Sequence, residues 1–162
     1  MDTKRPAWRN CAWIVLLAAV ATVLAQAQWA EPEPISAAQI PLNQLIQPEA
    51  LHRELQAGRH PLILQVGSRM LFDEAHIAGA EYAGPASRPE GLAALRRRVA
   101  GLPRTRAIVI YCGCCPWDHC PNVGPAWALL HQMGFTHLRV LYLADNFGAD
   151  WVNPGYGAVA AQ

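Results

Sequence analysis

The sequence is short of several things, and each shortage excludes something. It has no glycine-rich fingerprint of the kind that cradles nucleotide phosphates, so no organic cofactor is implied. It has no internal repeat, which excludes solenoid and propeller architectures. Charge is sparse: Asp, Glu, Lys and Arg make up 15% of 162 residues, and the formal net charge is +1. Arg96-Arg97-Arg98 is the one basic cluster. It reads as a solvated helix face, and nucleic acid is not an expected partner. The apolar run near the start, Ala12 to Ala25, is too short to span a bilayer comfortably. Cysteine is nearly absent from most of the chain. Cys11 stands alone, and the other four, Cys112, Cys114, Cys115 and Cys120, fall within "YCGCCPWDHCP".

What is present begins with an export signature. Lys4, Arg5 and Arg9 precede the apolar run, and Ala25-Gln26-Ala27 offers a small-x-small cleavage site. This pattern predicts a secretory signal peptide over residues 1–27 and a periplasmic or secreted protein, with no membrane attachment after cleavage. The alternative is an uncleaved anchor. Cys11 precedes the run and is badly placed to receive a lipid. Cleavage removes Lys4, Arg5, Arg9 and Asp2, leaving 10 basic against 11 acidic residues. Residues 28–45, with Pro32, Pro34 and Pro41 and no clear periodicity, read as a leader or linker. A single domain is expected over 46–157, with a tail at 158–162.

Inside that domain the periodicity alternates. Pro48 suits a first helical turn, Leu51 and Leu55 follow at helical spacing, and Gly58 suits the stop. "PLILQVG" is a continuous apolar run of strand length, as a buried parallel strand requires. "DEAHIAGAEYAG" is turn-rich. Leu92, Leu95 and Val99 share a helical face over Pro89 to Val99. "AIVIY", Ala107 to Tyr111, is a second buried strand and ends directly at Cys112. Pro125 to Met133 reads as a helix stopped by Gly134, and "LRVLYL", Leu138 to Leu143, as a third strand. This order predicts an α/β fold: a central parallel sheet with helices on both faces. Ligands in such sheets bind outside the carboxyl ends of the strands, and Cys112 sits at one.

The order of these pieces resembles the rhodanese-like domain family over roughly Ile46 to Gly157. "IQPEALHRELQAGRHPLILQVG" is similar to its opening helix and first core strand. His76, Ile77, Gly79 and Ala80 in "FDEAHIAGAEYAG" match its histidine-isoleucine-x-glycine-alanine segment. "AIVIYC" resembles the strand that delivers the active cysteine, and "LLHQMGFTHLRVL" the helix, turn and strand after it. Trp151 and "PGYG" at 154–157 resemble the closing segment. The resemblance implies sulfur transfer. A cysteine, by position Cys112, takes sulfane sulfur from a small donor, becomes a persulfide and passes the sulfur to a thiol or other nucleophile. Two departures stand out. The first strand ends Gln65-Val66-Gly67 where the family usually has Asp-Val-Arg. Between Cys112 and Pro125 no residue is arginine or lysine, which counts against thiosulfate as the donor. "CGCCPW" is also similar to the Cys-x-x-Cys-Trp motif of a periplasmic subgroup linked to quinoprotein-dependent catabolism, with Pro116 inserted before Trp117.

Read for its own chemistry, the cysteine loop leaves several readings open. Sulfur transfer needs a thiolate. Loop N–H groups of Gly113, Cys114, Cys115 and their neighbours up to Cys120, facing a helix N-terminus, could cradle its charge. Gly113 and Gly124 would let the backbone approach. Trp117 is expected to wall the pocket. His119 is the one histidine of the loop, either a base or a surface histidine. Cys112-x-x-Cys115 has redox spacing and could serve a periplasmic thiol–disulfide partner, with Cys114 or Cys115 resolving. Pro116 and Pro121 prevent the helix from opening at once, as that motif normally requires. Cys112, Cys114, Cys115 and Cys120 could instead hold Cu or Zn. Cys115 and Cys120, or another pair, could also form a disulfide that staples the loop by about 2–3 kcal/mol. His76 is expected to hold its loop by hydrogen bonds, and Trp127 and Trp151 to be core.

Overall fold

The computed structural model describes residues 35–161. The predicted signal peptide, Cys11 and the start of the leader lie outside the described residues. Seven strands and four α-helices follow in chain order: β1 Leu45–Ile46, α1 Pro48–Gln56, β2 Leu62–Gln65, α2 Arg69–Glu74, β3 His76–Ile77, β4 Glu81–Tyr82, α3 Pro89–Val99, β5 Ile108–Tyr111, α4 Val123–Gln132, β6 Leu138–Leu141 and β7 Ala158–Val159. Residues Gly148–Val152 wind as a π turn. β1, β6, β5, β2 and β4 lie side by side in that order, all parallel, while β3 and β7 form a small antiparallel pair. No helix of the described residues is long and apolar enough to cross a membrane.

Side chains alternate across a strand, and here the alternation sorts the core into two halves. Leu62, Leu64, Ile108, Ile110, Leu138 and Val140 face α3 and α4, meeting Leu95, Val99, Ala126 and Leu130. Ile63, Val109, Tyr111 and Leu141 face the other way, toward Leu51 of α1, Phe72 of α2 and Trp151. Both faces of the central strands are covered, which is why these strands read as unbroken apolar runs. Two bidentate ion pairs tie the layers at the edges. Arg98 of α3 grips Glu81 of β4 at 2.5 and 2.7 Å, and Arg139 of β6 grips Glu54 of α1 at 2.9 and 2.7 Å. Arg98 is therefore an anchor, unlike the solvated face expected of Arg96-Arg97-Arg98.

Three further differences from the sequence reading have physical causes. Residues 35–45, within the expected leader, join the core: Ala37 and Ile40 are buried, and Leu45–Ile46 pairs with β6 as an edge strand. Two short 3-10 turns carry that segment, too brief to show a period. α2 occupies a stretch the sequence does not mark as helical, because a helix of less than two turns leaves one buried residue, Phe72, as its signature. α4 starts at Val123, two residues before Pro125. Pro125 sits inside the first turn, where no intrahelical N–H partner is needed.

Candidate functional site

The site forms at the carboxyl end of β5. Alternation along β5 turns Tyr111 toward α1 and α2 and Cys112 toward α3 and α4. Neighbouring elements then fix Cys112 in place. Val66 donates its N–H to the Tyr111 carbonyl at 2.8 Å. The Gln65 side chain, 2% exposed, donates from Nε2 to the Cys112 carbonyl at 3.0 Å, while its Oε1 accepts from the Gly67 N–H at 3.2 Å. Gln65 thus crosses from β2 to the cysteine with both ends of its amide satisfied. A Cβ on Gly67 would lie 2.8 Å from the Cys112 sulfur and 3.0 Å from its carbonyl oxygen. The glycine that replaces the family's usual arginine is where the thiol finds its room.

Cys112 is 4% exposed, yet its sulfur meets a purpose-built donor. Asn122, 5% exposed, points Nδ2 at the Cys112 sulfur from 3.3 Å, and its Oδ1 accepts the Ser87 N–H at 2.9 Å. A backbone N–H can only donate. It therefore holds the amide oxygen on its own side and leaves the amide N–H groups facing sulfur. Sequence reasoning missed Asn122, since the contact that orients it comes from the distant Ser87.

The other thiols crowd the same spot. Cys112 and Cys114 sulfurs are 3.0 Å apart, and Cys114 and Cys115 sulfurs 3.2 Å. The sulfurs of all three lie within 4.8 Å of one another. All four described cysteines are free, and these separations exceed a disulfide bond of about 2.05 Å. Thiols this close share their protons. Cys114 is held down to about 2, because the S–H groups of Cys112 and then Cys120 donate to its thiolate. Cys112 is pushed up by the same bond to Cys114, then by Cys120 and by burial. Cys115 is pushed up to about 12, by burial first and by Cys114 next. Cys120 is pulled down by Cys112, but the Cys114 thiolate and burial outweigh that pull and leave it raised; the N–H groups of Asn122 and Val123 favour its thiolate. These shifts favour the negative charge on Cys114, the exposed member of the cluster.

The loop is secured without a cross-link. Phe147 donates its N–H to the Gly113 carbonyl at 3.1 Å, Trp117 donates to the Ala144 carbonyl at 3.1 Å, and the Trp117 ring packs against Tyr142 with centroids 5.1 Å apart. Gly113 has φ +84°, and a Cβ there would meet the Phe147 side chain at 2.9 Å. Of the residues singled out from sequence, Gly113, Cys114, Cys115, Trp117 and Cys120 gather around Cys112. His119 does not: its side chain is 76% exposed and lies near Asp118, because the 3-10 turn Trp117–His119 carries it outward. Gly124 does not serve the loop either; its missing Cβ makes room for the Ile35 carbonyl. His76 donates from Nδ1 to the Phe72 carbonyl, 2.7 Å away, and stacks on the Phe72 ring.

Beside Cys112 and Cys114 opens a cavity of about 400 Å³. Its walls come from α2, the end of β5 and the π turn.

A parallel five-strand sheet in this order, with helices on both faces and a cysteine at the end of its middle strand, is the rhodanese-like fold. The chain is similar to the rhodanese-like domain of the Alr3790 protein of Anabaena, at 24% identity and TM-score 0.54, over 72% of this chain and 79% of that one. It is similar to a thiosulfate sulfurtransferase of Pseudomonas aeruginosa, at 17% identity and TM-score 0.52, over 73% of this chain but 20% of that one. It is also similar to a yeast protein tyrosine phosphatase of the rhodanese family, at 19% identity and TM-score 0.50, over 75% of this chain and 96% of that one. No family model matches the chain, and no curated protein matches it. At these identities the likeness carries the fold, and function rests on the site.

Proposed function

We propose that this is an exported sulfurtransferase whose Cys112 accepts sulfane sulfur as a persulfide and passes it to a thiol or other nucleophile. The observation that carries the reading is the Asn122 amide, fixed by the Ser87 N–H so that only donors face the Cys112 sulfur. A donor so aimed favours a thiolate or a persulfide anion over a thiol. As Cys112 attacks, its proton leaves for solvent by way of the exposed Cys114 sulfur, 3.0 Å away. Cys112 then attacks the outer sulfur of the donor's S–S bond. That bond breaks, its electron pair leaves with the departing group, and a new S–S bond joins the sulfur to Cys112. An acceptor thiolate attacks the same outer sulfur and restores Cys112. No external oxidant or reductant is consumed.

The test is intact mass after mixing reduced protein with a sulfane donor. Wild type is expected to gain one sulfur atom and Cys112→Ser none. Cys114→Ser is expected to keep the gain, with its pH midpoint moved down toward the ordinary thiol range of about 8.5, because the bond that pushes Cys112 up is gone. Full sulfur uptake by Cys112→Ser would sink the reading.

A second reading is favoured by one observation, the three sulfurs within 4.8 Å. Cys112, Cys114 and Cys115 make a soft donor set suited to Cu(I), and Cys120 could supply a fourth thiolate for Zn(II). A non-catalytic module serving a periplasmic redox partner would use the loop in this way. Stoichiometric Cu(I) or Zn(II) on protein purified without added metal, lost in Cys115→Ser, would support it.

A further inference from the structure

The cavity beside Cys112 says more about the donor than the cysteines do. Leu71, Ala75, Phe147 and Val152 line its apolar side. Its polar groups are largely engaged. The Tyr111 hydroxyl accepts the Ile77 N–H at 3.3 Å, and burial keeps the phenol protonated. The Gln65 amide is held by the Cys112 carbonyl and Gly67, and Asn146 accepts the Ala149 N–H at 2.9 Å. Apart from Tyr111 and the thiols, one lining residue can ionise. It is Glu74, an exposed acid that makes no ion pair among the described residues. No lysine, arginine or histidine lines the cavity. The nearest arginine along α2, Arg69, is held by Asp73 at 2.8 Å.

These features work against an inorganic dianion. Such an ion would enter past the Glu74 carboxylate toward the clustered thiols, with no cation to meet it. It would also leave most of a cavity in the small-ligand size range empty. An apolar group would replace water on Leu71, Phe147 and Val152 and gain from each contact.

We propose that the donor is an organic persulfide, R–S–SH, whose uncharged alkyl or aryl R group sits in this cavity, and that thiosulfate is disfavoured. The proposal rests on the sulfurtransferase reading and specifies its substrate class. Cys112 takes the outer sulfur, the donor's S–S bond breaks, and R–S⁻ leaves and takes a proton from solvent.

The experiment compares single-turnover sulfur uptake from benzyl persulfide, generated in place, with uptake from thiosulfate at equal concentration. Intact mass is read over time at low and high salt. Benzyl persulfide is expected to load at least about tenfold faster, the low end of what charge in a cleft does to association. Thiosulfate loading should rise with salt, as repulsion is screened. Glu74→Lys should cut the ratio of the two rates at least about tenfold. Val152→Asp should slow benzyl loading selectively. Equal loading by both donors, or a ratio indifferent to Glu74→Lys, would overturn the proposal while leaving sulfur transfer intact. Loading of wild type by neither donor would overturn sulfur transfer itself, and this proposal with it.

Discussion

Asn122 divides its amide between structure and chemistry, and a single atom exchange separates the two. In Asn122→Asp one carboxylate oxygen can still accept the Ser87 N–H, while the other replaces a donor with an acceptor facing sulfur. Hydrogen bonds to charged groups contribute about 1.5–3 kcal/mol. Sulfur uptake at neutral pH should therefore fall about ten- to hundredfold with the circular dichroism spectrum unchanged; undiminished uptake would remove Asn122 from the site. Gly67→Ala tests the room beside the thiol. Its Cβ would stand 2.8 Å from the Cys112 sulfur, and overpacking of that kind costs about 1–3 kcal/mol. A clear drop in melting temperature is expected. At this scale Cys112 was legible, because a strand pattern ends on it. Asn122 was not, because its orientation depends on a backbone N–H from another element. Gly67 was visible only as a departure from a familiar pattern, without the sulfur that explains it.

Elements were legible where burial is long and regular. β2, β5 and β6 read as strands because both faces are covered, and α3 matched its expected span, Pro89 to Val99. The 35–45 segment did not, since the contacts that bury it are with α4, β6 and the Trp117–His119 turn, all distant in sequence. Gly124 records that contact: the first turn of α4 passes against the Ile35 backbone, where no Cβ fits. Trp127 of α4 adds an indole hydrogen bond to Gln44. The consequence reverses an ordinary rule. A helical Gly→Ala change usually stabilises by about 1 kcal/mol, but Gly124→Ala should lower the melting temperature by pushing the 35–40 strip off the helix. Gly101→Ala, with open space around it, is the control that should do no such harm.

The molecule as a whole should feel its thiols in alkali. Cys115 is pushed up to about 12, and Cys112 and Cys120 are pushed up as well. Unfolded thiols lose protons near 8.5. Above that pH the unfolded chain binds fewer protons than the native one, so stability fully present below about 8.5 is lost as pH rises toward the raised values. Cys114 acts in the opposite direction: its share is complete above about 8.5 and is lost as pH falls toward about 2. Melting under a thiol reductant should thus occur at lower temperature at pH 9.5 than at pH 7.5. The gap should narrow in Cys115→Ser, and a gap of unchanged width would mean the thiols are not linked to folding. The outermost strands, β1 and β4, bring a different consequence. Each is two residues long, which gives an incoming chain almost no ladder to extend. Recruitment of a further strand is discouraged on both flanks, so the sheet is poorly suited to growing by edge-to-edge addition.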